Sequence, residues 1–437
     1  MPDSYLIFVS MPALRTRDMQ HMPRLSALAA KGTARELVPL FPCVTSSVQA
    51  AMLTGQAPST HGIIGNGFYH RDRNEVELWI GRNNLVQSEQ IWDRLKSNGI
   101  SSAAWMTQNI KDAAADYIVT PEPIHHPDGR MDLWCYSKPD GLYQKLFNDL
   151  GHFPLMNYWG PMANIKSTQW IVNAALWLLQ RERPRFNFIY IPHLDYAAQK
   201  FGPNSPQAAD ACREADEQLG RLIDGVHALS LPKVEFLVIS EYAITDVSRV
   251  VYPNRMLRDA GLVATETRDG LEHLDFARSP AVAVVDHQFA HVYVKDKSDI
   301  DAVSGIFEGL DGIAHVLVGD AKKEFGIDHP RSGEVVLICE PDTWLAYYWW
   351  KDDAKAPPFA RTVDIHAKPG YDPVELFFDP ATKSIPLSAS LVKGSHGAPA
   401  ERPDQRGAIV ASGPTMLPDQ DSIRDYDVFE IIEKAMR

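Results

Sequence analysis

The sequence predicts an α/β protein: a mostly parallel central sheet with helices on both faces, plus an inserted α+β cap. Three observations predict this. Short continuous apolar runs recur along the first 240 residues, as expected of strands covered on both faces. Between them lie stretches with the 3.6-residue apolar period of helices, and strand–helix alternation of this kind implies a parallel sheet. After about residue 246 the alternation gives way to paired strand patterns around one helical stretch. The core is therefore expected over 1–245 and 386–437, with the cap over 246–385.

The elements follow in order. Residues 5–11 read as a buried parallel strand, bounded by polar residues and Pro12. A helix follows, with Pro23 in its first turn, Leu25, Leu28 and Ala29 on one side and Gly32 to end it. Pro42 stops the chain before a second helix, for which Thr45 is the expected N-cap and Gly55 the terminator. Ile91, Trp92 and Leu95 mark a helix ending near Gly99, and residues 102–106 read as a strand. From about 108 to 165 the chain is rich in Pro, Gly, Tyr and Trp with weak periodicity, and is expected to form a long excursion over the mouth of a site. A helix over 167–183 leads to a strand at 186–191, then a helix at about 205–229 to a strand at 234–240. In such a sheet, reactive residues belong at the carboxyl ends of the strands. The cap is expected to hold strands at 281–285, 290–294 and 334–339 and a helical stretch near 298–310, before the chain returns near 388–412 to finish the main sheet.

With 437 residues, 45% of them hydrophobic, the chain buries a substantial core. A formal charge of −13 argues against nucleic acid or an anionic membrane surface as the main partner. Four scattered cysteines, Cys43, Cys135, Cys212 and Cys339, read as buried thiols, not a disulfide scaffold or zinc knuckle. The opening residues offer too short an apolar run for a signal segment, and no run approaches a membrane span, so the expectation is a soluble cytoplasmic protein. There is no phosphate-loop signature G-x-x-x-x-G-K-[ST] and no G-x-G-x-x-G after a strand. Oligomeric state cannot be read from the sequence.

The most informative stretch runs from Phe41-Pro42 through Thr45, Leu53-Thr54-Gly55 and Pro58 to His61-Gly62-Ile63 and Gly65-Asn66. It places a hydroxyl at the positive end of a short helix, where free N–H groups favour an anion. Thr45 taken alone is an ordinary cap. The spaced matches together resemble the nucleophile segment of the alkaline phosphatase superfamily, in its nucleotide pyrophosphatase/phosphodiesterase branch. That resemblance implies an alkaline-phosphatase-like core with an inserted cap, Thr45 as covalent nucleophile and Asn66 as a holder of a non-bridging oxygen.

The same resemblance implies two metal ions, but the ligand slots are altered. Pro12 stands where an Asp is expected after the first strand. The later Asp-x-x-x-His reads Asp195 to Gln199, and the Asp-His at the end of another strand reads Glu241-Tyr242. Only Gly394-Ser395-His396-Gly397 is intact. Zinc prefers a closed set of imidazole, thiolate and carboxylate donors, so a two-zinc centre is not expected. One divalent ion, Zn, Mn or Mg, could remain on Asp195 and His396 with a recruited group: His193, on the same face as Asp195 if the segment is extended, or His366, where the cap reaches back, or Glu241. Glu241 is equally a candidate general base. Asp286-His287-Gln288 and His291 also invite notice, with structural roles as the plain alternative.

These readings give a phosphoester hydrolase or transferase, of phosphodiester or pyrophosphate type, acting on a small anionic substrate through Thr45, Asn66 and Glu241. The alternatives are a protein that kept the fold and binds an anionic small molecule without turnover, and a pocket rebuilt for another reaction.

Overall fold

The first apolar run forms strand β1 (Tyr5–Ser10), all six residues of which are buried. Such a strand must be covered on both faces, and its neighbours on either side run parallel to it. In this computed structural model, which describes residues 4–125 and 131–437, the chain continues through α1 (Pro23–Lys31), β2 (Thr33–Val38), α2 (Thr45–Thr54) and α3 (Ile91–Ser97). Next come β3 (Ser102–Trp105), β4 (Tyr117–Pro121), β5 (Cys135–Lys138), α4 (Lys166–Arg181), β6 (Phe186–Tyr190), α5 (His193–Phe201), α6 (Pro206–Ala228) and β7 (Val234–Ile239). A second group of strands follows: β8 (Ala281–Asp286), β9 (Phe289–Val294), β10 (Ile313–Val318) and β11 (Val335–Cys339). The chain closes with β12 (Gly407–Ala411), β13 (Ser422–Arg424) and α7 (Val428–Met436).

The main sheet has nine strands in the order β13-β2-β12-β7-β1-β6-β3-β4-β5. Its five central strands, β7-β1-β6-β3-β4, are parallel, whereas β12 and β5 run antiparallel to their neighbours. The sheet is thus parallel where it is most buried and mixed at its flanks, where one face can be wet. Local chemistry explains several helix ends. Ser205 caps α6 by accepting the Ala208 N–H at 3.1 Å, Pro206 fills its first position, and Gly55 closes α2 in the left-handed region at φ 67°. Phe8 of β1 stacks on Phe188 of β6 at 4.6 Å, inside an apolar core that also takes in Trp92, Trp105 and Ile171.

The segment from 108 to 165 departs from the expected excursion. It supplies β4 and β5 to the main sheet and a helix over Leu142–Leu150, because Ile118, Val119 and Cys135 are apolar enough to extend the core. Residues 126–130 of that stretch lie outside the described residues. Strands β8-β9-β11-β10 form a separate antiparallel sheet, as the paired patterns suggest, with its own apolar cluster around Val285, Val292 and Leu337. No helix among the described residues is long and apolar enough to cross a membrane.

Candidate active site

Three parallel strands aim their carboxyl ends at one place. Ser10 ends β1 opposite Tyr190 and Ile239, the last residues of β6 and β7. Beyond β7 come Ser240, Glu241 and Tyr242; beyond β6, Pro192 turns the chain into α5 with Asp195 in its first turn. Helix α2 brings Thr45 to the same point. Its N-cap is Val44, not Thr45, so Thr45 is the first helical residue and its hydroxyl is freed from capping. Asn66 takes over part of the cap, its Oδ1 accepting the Ser46 N–H at 3.1 Å.

Freed from the backbone, Thr45 Oγ1 lies 3.2 Å from the Tyr242 hydroxyl. Tyr242 in turn donates to Asp195 Oδ1 at 3.4 Å, and Asp195 Oδ2 accepts from Gln199 Nε2 at 2.6 Å. Tyr371 donates to Gln199 Oε1 at 2.7 Å, so five side chains form one buried string. On the other side of Thr45, Glu241 Oε1 accepts from Ser10 Oγ and Gln49 Nε2, both at 2.7 Å. Burial pushes the Glu241 carboxyl up to about 7, against the pull of donors from Ser10, Gln49 and Thr45. Burial pushes Asp195 up to about 7 as well, opposed by Gln199 and Tyr242.

His396 Nδ1 lies 2.8 Å from the Cys43 carbonyl oxygen, which can only accept, so Nδ1 carries the proton and Nε2 is left as an acceptor facing Asp195 Oδ1 at 4.0 Å. The ring stacks flat on Tyr242, centroids 3.5 Å apart at 5°. Burial, and then the neighbouring His287, hold His396 far below the usual imidazole range. Gly397 completes the turn at φ 116°; a side chain there would press on the Gln288 N–H at 3.1 Å.

The second sheet contributes the remainder. The hairpin tip between β8 and β9 carries His287 at φ 61°, a conformation that only a few residue types adopt readily. This drives its ring between Tyr371, at 3.5 Å, and His396, at 3.8 Å. Asp286, at the end of β8, accepts from the Asn66 N–H at 2.7 Å and from Asn66 Nδ2 at 3.0 Å, fixing the loop that caps α2.

Thr45, Asn66, Asp195, Glu241 and His396 therefore converge, and two sequence candidates do not. His193 lies on α5, not on an extended segment, so it projects away from Asp195 and pairs with Glu214 at 2.8 Å. Two residues along a helix are about 200° apart, which is the physical reason. His366 is exposed on a loop. Sequence reasoning missed Ser10, Gln49 and Tyr371, whose partners are distant in the chain; only the Asp286-His287 dipeptide gave a local signal.

The donor set does not fit a metal centre. No group of three or more His, Cys, Asp or Glu side chains among the described residues could hold an ion. Asp195 and His396 alone remain, and their partners at the neighbouring positions are the neutral amide of Gln199 and the phenol of Tyr242. A closed structural site needs four protein donors and a catalytic zinc at least three.

With this geometry in view, the likeness to known proteins is specific. A phosphonoacetate hydrolase of Sinorhizobium meliloti solved with phosphonoformate superposes with a TM-score of 0.66 at 16% identity, covering 99% of this chain and 96% of that one. Murine ectonucleotide pyrophosphatase/phosphodiesterase 5, solved as an inactive variant with AMP, gives 0.65 at 14% identity, covering 99% and 95%. In sequence, an uncharacterized pyrophosphatase/phosphodiesterase of Schizosaccharomyces pombe is 23% identical over 54% of this chain and 43% of its own length. Ectonucleotide pyrophosphatase/phosphodiesterase family member 1 of Mus musculus is 26% identical over 55% and 24%. The matched region thus spans less than half the length of these relatives. Residues 6–372 match the family described as type I phosphodiesterase / nucleotide pyrophosphatase, and the chain belongs to that family.

Proposed function

We propose that the chain is a phosphoester hydrolase or transferase, of phosphodiester or pyrophosphate type, in which Thr45 is the nucleophile and Glu241 takes over the activating role of a metal ion. The observation that carries this reading is the position of Glu241: a buried carboxyl beside Thr45, oriented by Ser10 and Gln49, with one oxygen, Oε2, lacking a hydrogen-bond partner. An aliphatic hydroxyl needs such a base to act at neutral pH, and a base titrating near 7 suits the task. Glu241 takes the Thr45 proton as Oγ1 bonds to phosphorus and the ester oxygen departs; water or an acceptor alcohol then releases the phosphoryl group from Thr45. In this reading the N-terminus of α2 and the Nδ2 hydrogen of Asn66 not bonded to Asp286 hold a non-bridging oxygen. Relatives of this fold solved with AMP and with phosphonoformate support a small anionic substrate. We read 246–385 as a cap on a core of 1–245 and 386–437. Four cysteines that are all free and buried fit a reducing, cytoplasmic setting.

A second reading is binding without turnover, and the closure of the site supports its absence of turnover. Thr45 is only 2% exposed, and the Ser46 N–H and both Asn66 amide groups already have partners. Turnover of bis(4-nitrophenyl) phosphate in the presence of a chelator separates the two. Wild type is expected to retain activity, with losses on the order of 100-fold or more in Thr45→Ala and Glu241→Gln. A folded, inactive wild type that still binds AMP would leave the binding reading standing.

A further inference from the structure

We infer that Tyr242 is a built-in replacement for the metal ions, and that the site takes up no divalent cation even when one is supplied. The inference concerns metal uptake alone and holds whether or not Thr45 turns over a phosphoester.

A cation between Asp195, Thr45 and His396 would do three jobs: neutralise the carboxylate, polarise the hydroxyl and tie down the imidazole. In this chain neutral groups do each of them. Asp195 receives the Gln199 amide at 2.6 Å and the Tyr242 hydroxyl at 3.4 Å. Thr45 Oγ1 meets the same Tyr242 hydroxyl at 3.2 Å. His396 is held by the Cys43 carbonyl on one nitrogen and by the Tyr242 ring across its face. The phenol thus stands among the three groups that an ion would cross-link.

The geometry of what remains is also wrong for chelation. Two donors on a tetrahedral ion with bonds near 2.0–2.1 Å lie about 3.3 Å apart, whereas Asp195 Oδ1 and His396 Nε2 are 4.0 Å apart. His396 Nε2 and Glu241 Oε2 have no hydrogen-bond partner, so single lone pairs are available, but no three His, Cys, Asp or Glu side chains among the described residues come together closely enough to hold an ion. Pro12 has no donor side chain, and the Glu241 carboxyl is tied through Oε1 to Ser10 and Gln49. The substitutions are mutually consistent: with the cations gone, the buried Asp195 carboxylate would be a costly orphan unless neutral donors replaced them. Gln199 and Tyr242 are those donors.

The test is zinc content by elemental analysis after incubation with ZnCl2 and gel filtration, with thermal melts in parallel. Wild type is expected to retain far less than one zinc per chain and to melt at the same temperature with and without zinc. Tyr242→Phe, which keeps the ring but loses the hydroxyl that donates to Asp195, should melt at a lower temperature yet likewise retain far less than one zinc and show no zinc-dependent shift. The quadruple variant Pro12→Asp, Gln199→His, Glu241→Asp, Tyr242→His should gain at least one zinc per chain and a zinc-dependent rise in melting temperature. Stoichiometric zinc in the wild type, lost on His396→Ala, would overturn the inference. So would a quadruple variant that melts cooperatively and yet gains none. If that variant does not fold, the wild-type and Tyr242→Phe measurements decide the matter alone.

Discussion

Glu241 and Asp195 sit within hydrogen-bonded strings that leave their carboxyls close to half-ionised at neutral pH. Each has a folded-state value near 7, above its ordinary value of about 4. The folded chain therefore holds more protons than the unfolded chain between roughly pH 4 and 7, so stability is greatest below that window and falls as pH rises through it. Asp425, also buried and raised to about 7, acts in the same direction. Denaturant unfolding should accordingly show a more stable protein at pH 5 than at pH 8. Glu241→Gln should remove part of this slope and stabilise the pH 8 state by on the order of 1–3 kcal/mol, because a buried neutral amide replaces a buried charge. A pH profile unchanged by that substitution would show that Glu241 is ionised at little cost. The residue scale also shows what the sequence could reveal. Thr45 and Asn66 were legible because they lie in the one short stretch that carries the family resemblance, and Asp195, Glu241 and His396 because they occupy the ligand slots that this resemblance implies. Ser10 and Gln49 were not, since only the fold brings them within 2.7 Å of Glu241, from 231 and 192 residues away.

Elements set the precision of the site through a few close approaches. The extended reading of residues 193–195 failed because Pro192 starts a helix there, and a helix sends alternate residues to opposite sides. That helix lies hard against the strand segment carrying His396. A side chain on Gly394 would come within 2.3 Å of the Ala198 carbonyl oxygen, so Gly394→Ala must push α5 and the His396 turn apart. The expected loss is about 1–3 kcal/mol, with weakening of the Tyr242–His396 stack visible in the near-ultraviolet circular dichroism. An unchanged melting curve would mean that the two segments separate freely. The strap that delivers Tyr371 is held differently. Lys368 is fully buried and pairs with Asp372 at 2.8 Å and Glu375 at 2.6 Å, while Glu375 also accepts from Trp159 at 2.6 Å. Lys368→Met leaves two buried carboxyls without a cation and should cost about 3–5 kcal/mol in urea unfolding. Adding Asp372→Asn and Glu375→Gln to it should recover much of that loss, whereas no recovery would place the role of Lys368 in packing. Nothing in local sequence marks this triad, since its residues read equally well as a solvated charge run.

At the scale of the whole molecule, two sheets with apolar clusters of their own meet at the candidate site, where a third cluster packs Phe41, Val44 and Ile64 against Phe289, Val336 and Ile338 of the second sheet. Asp286 bonds twice to Asn66, His291 contacts the Ile64 carbonyl at 3.0 Å, and the Gln288 N–H donates to the His396 carbonyl at 2.9 Å. Arg331 adds bonds to the carbonyls of Gly62 and Leu85, at 2.7 and 2.8 Å. These contacts join the α2 cap, the His396 turn and the second sheet, so loss of one sheet exposes the polar groups of the other. Each buried donor or acceptor left without a partner costs about 1–3 kcal/mol, and several would be orphaned together. The expected outcome is one cooperative unfolding transition, despite a chain length at which separate transitions are common. Asp286→Ala should weaken the coupling of the sheets, because it frees the Asn66 N–H and amide at once while leaving the three apolar clusters in place. Two probes read this: far-ultraviolet circular dichroism, dominated by the helices around the main sheet, and the fluorescence of the tryptophans at 344, 349 and 350, which lie in the second cluster. In wild type the two denaturation curves should coincide; in Asp286→Ala the fluorescence curve should move to lower urea and separate from the other. Separate transitions already present in wild type would mean that the contacts around Asn66 join two independently stable bodies and do not determine their stability.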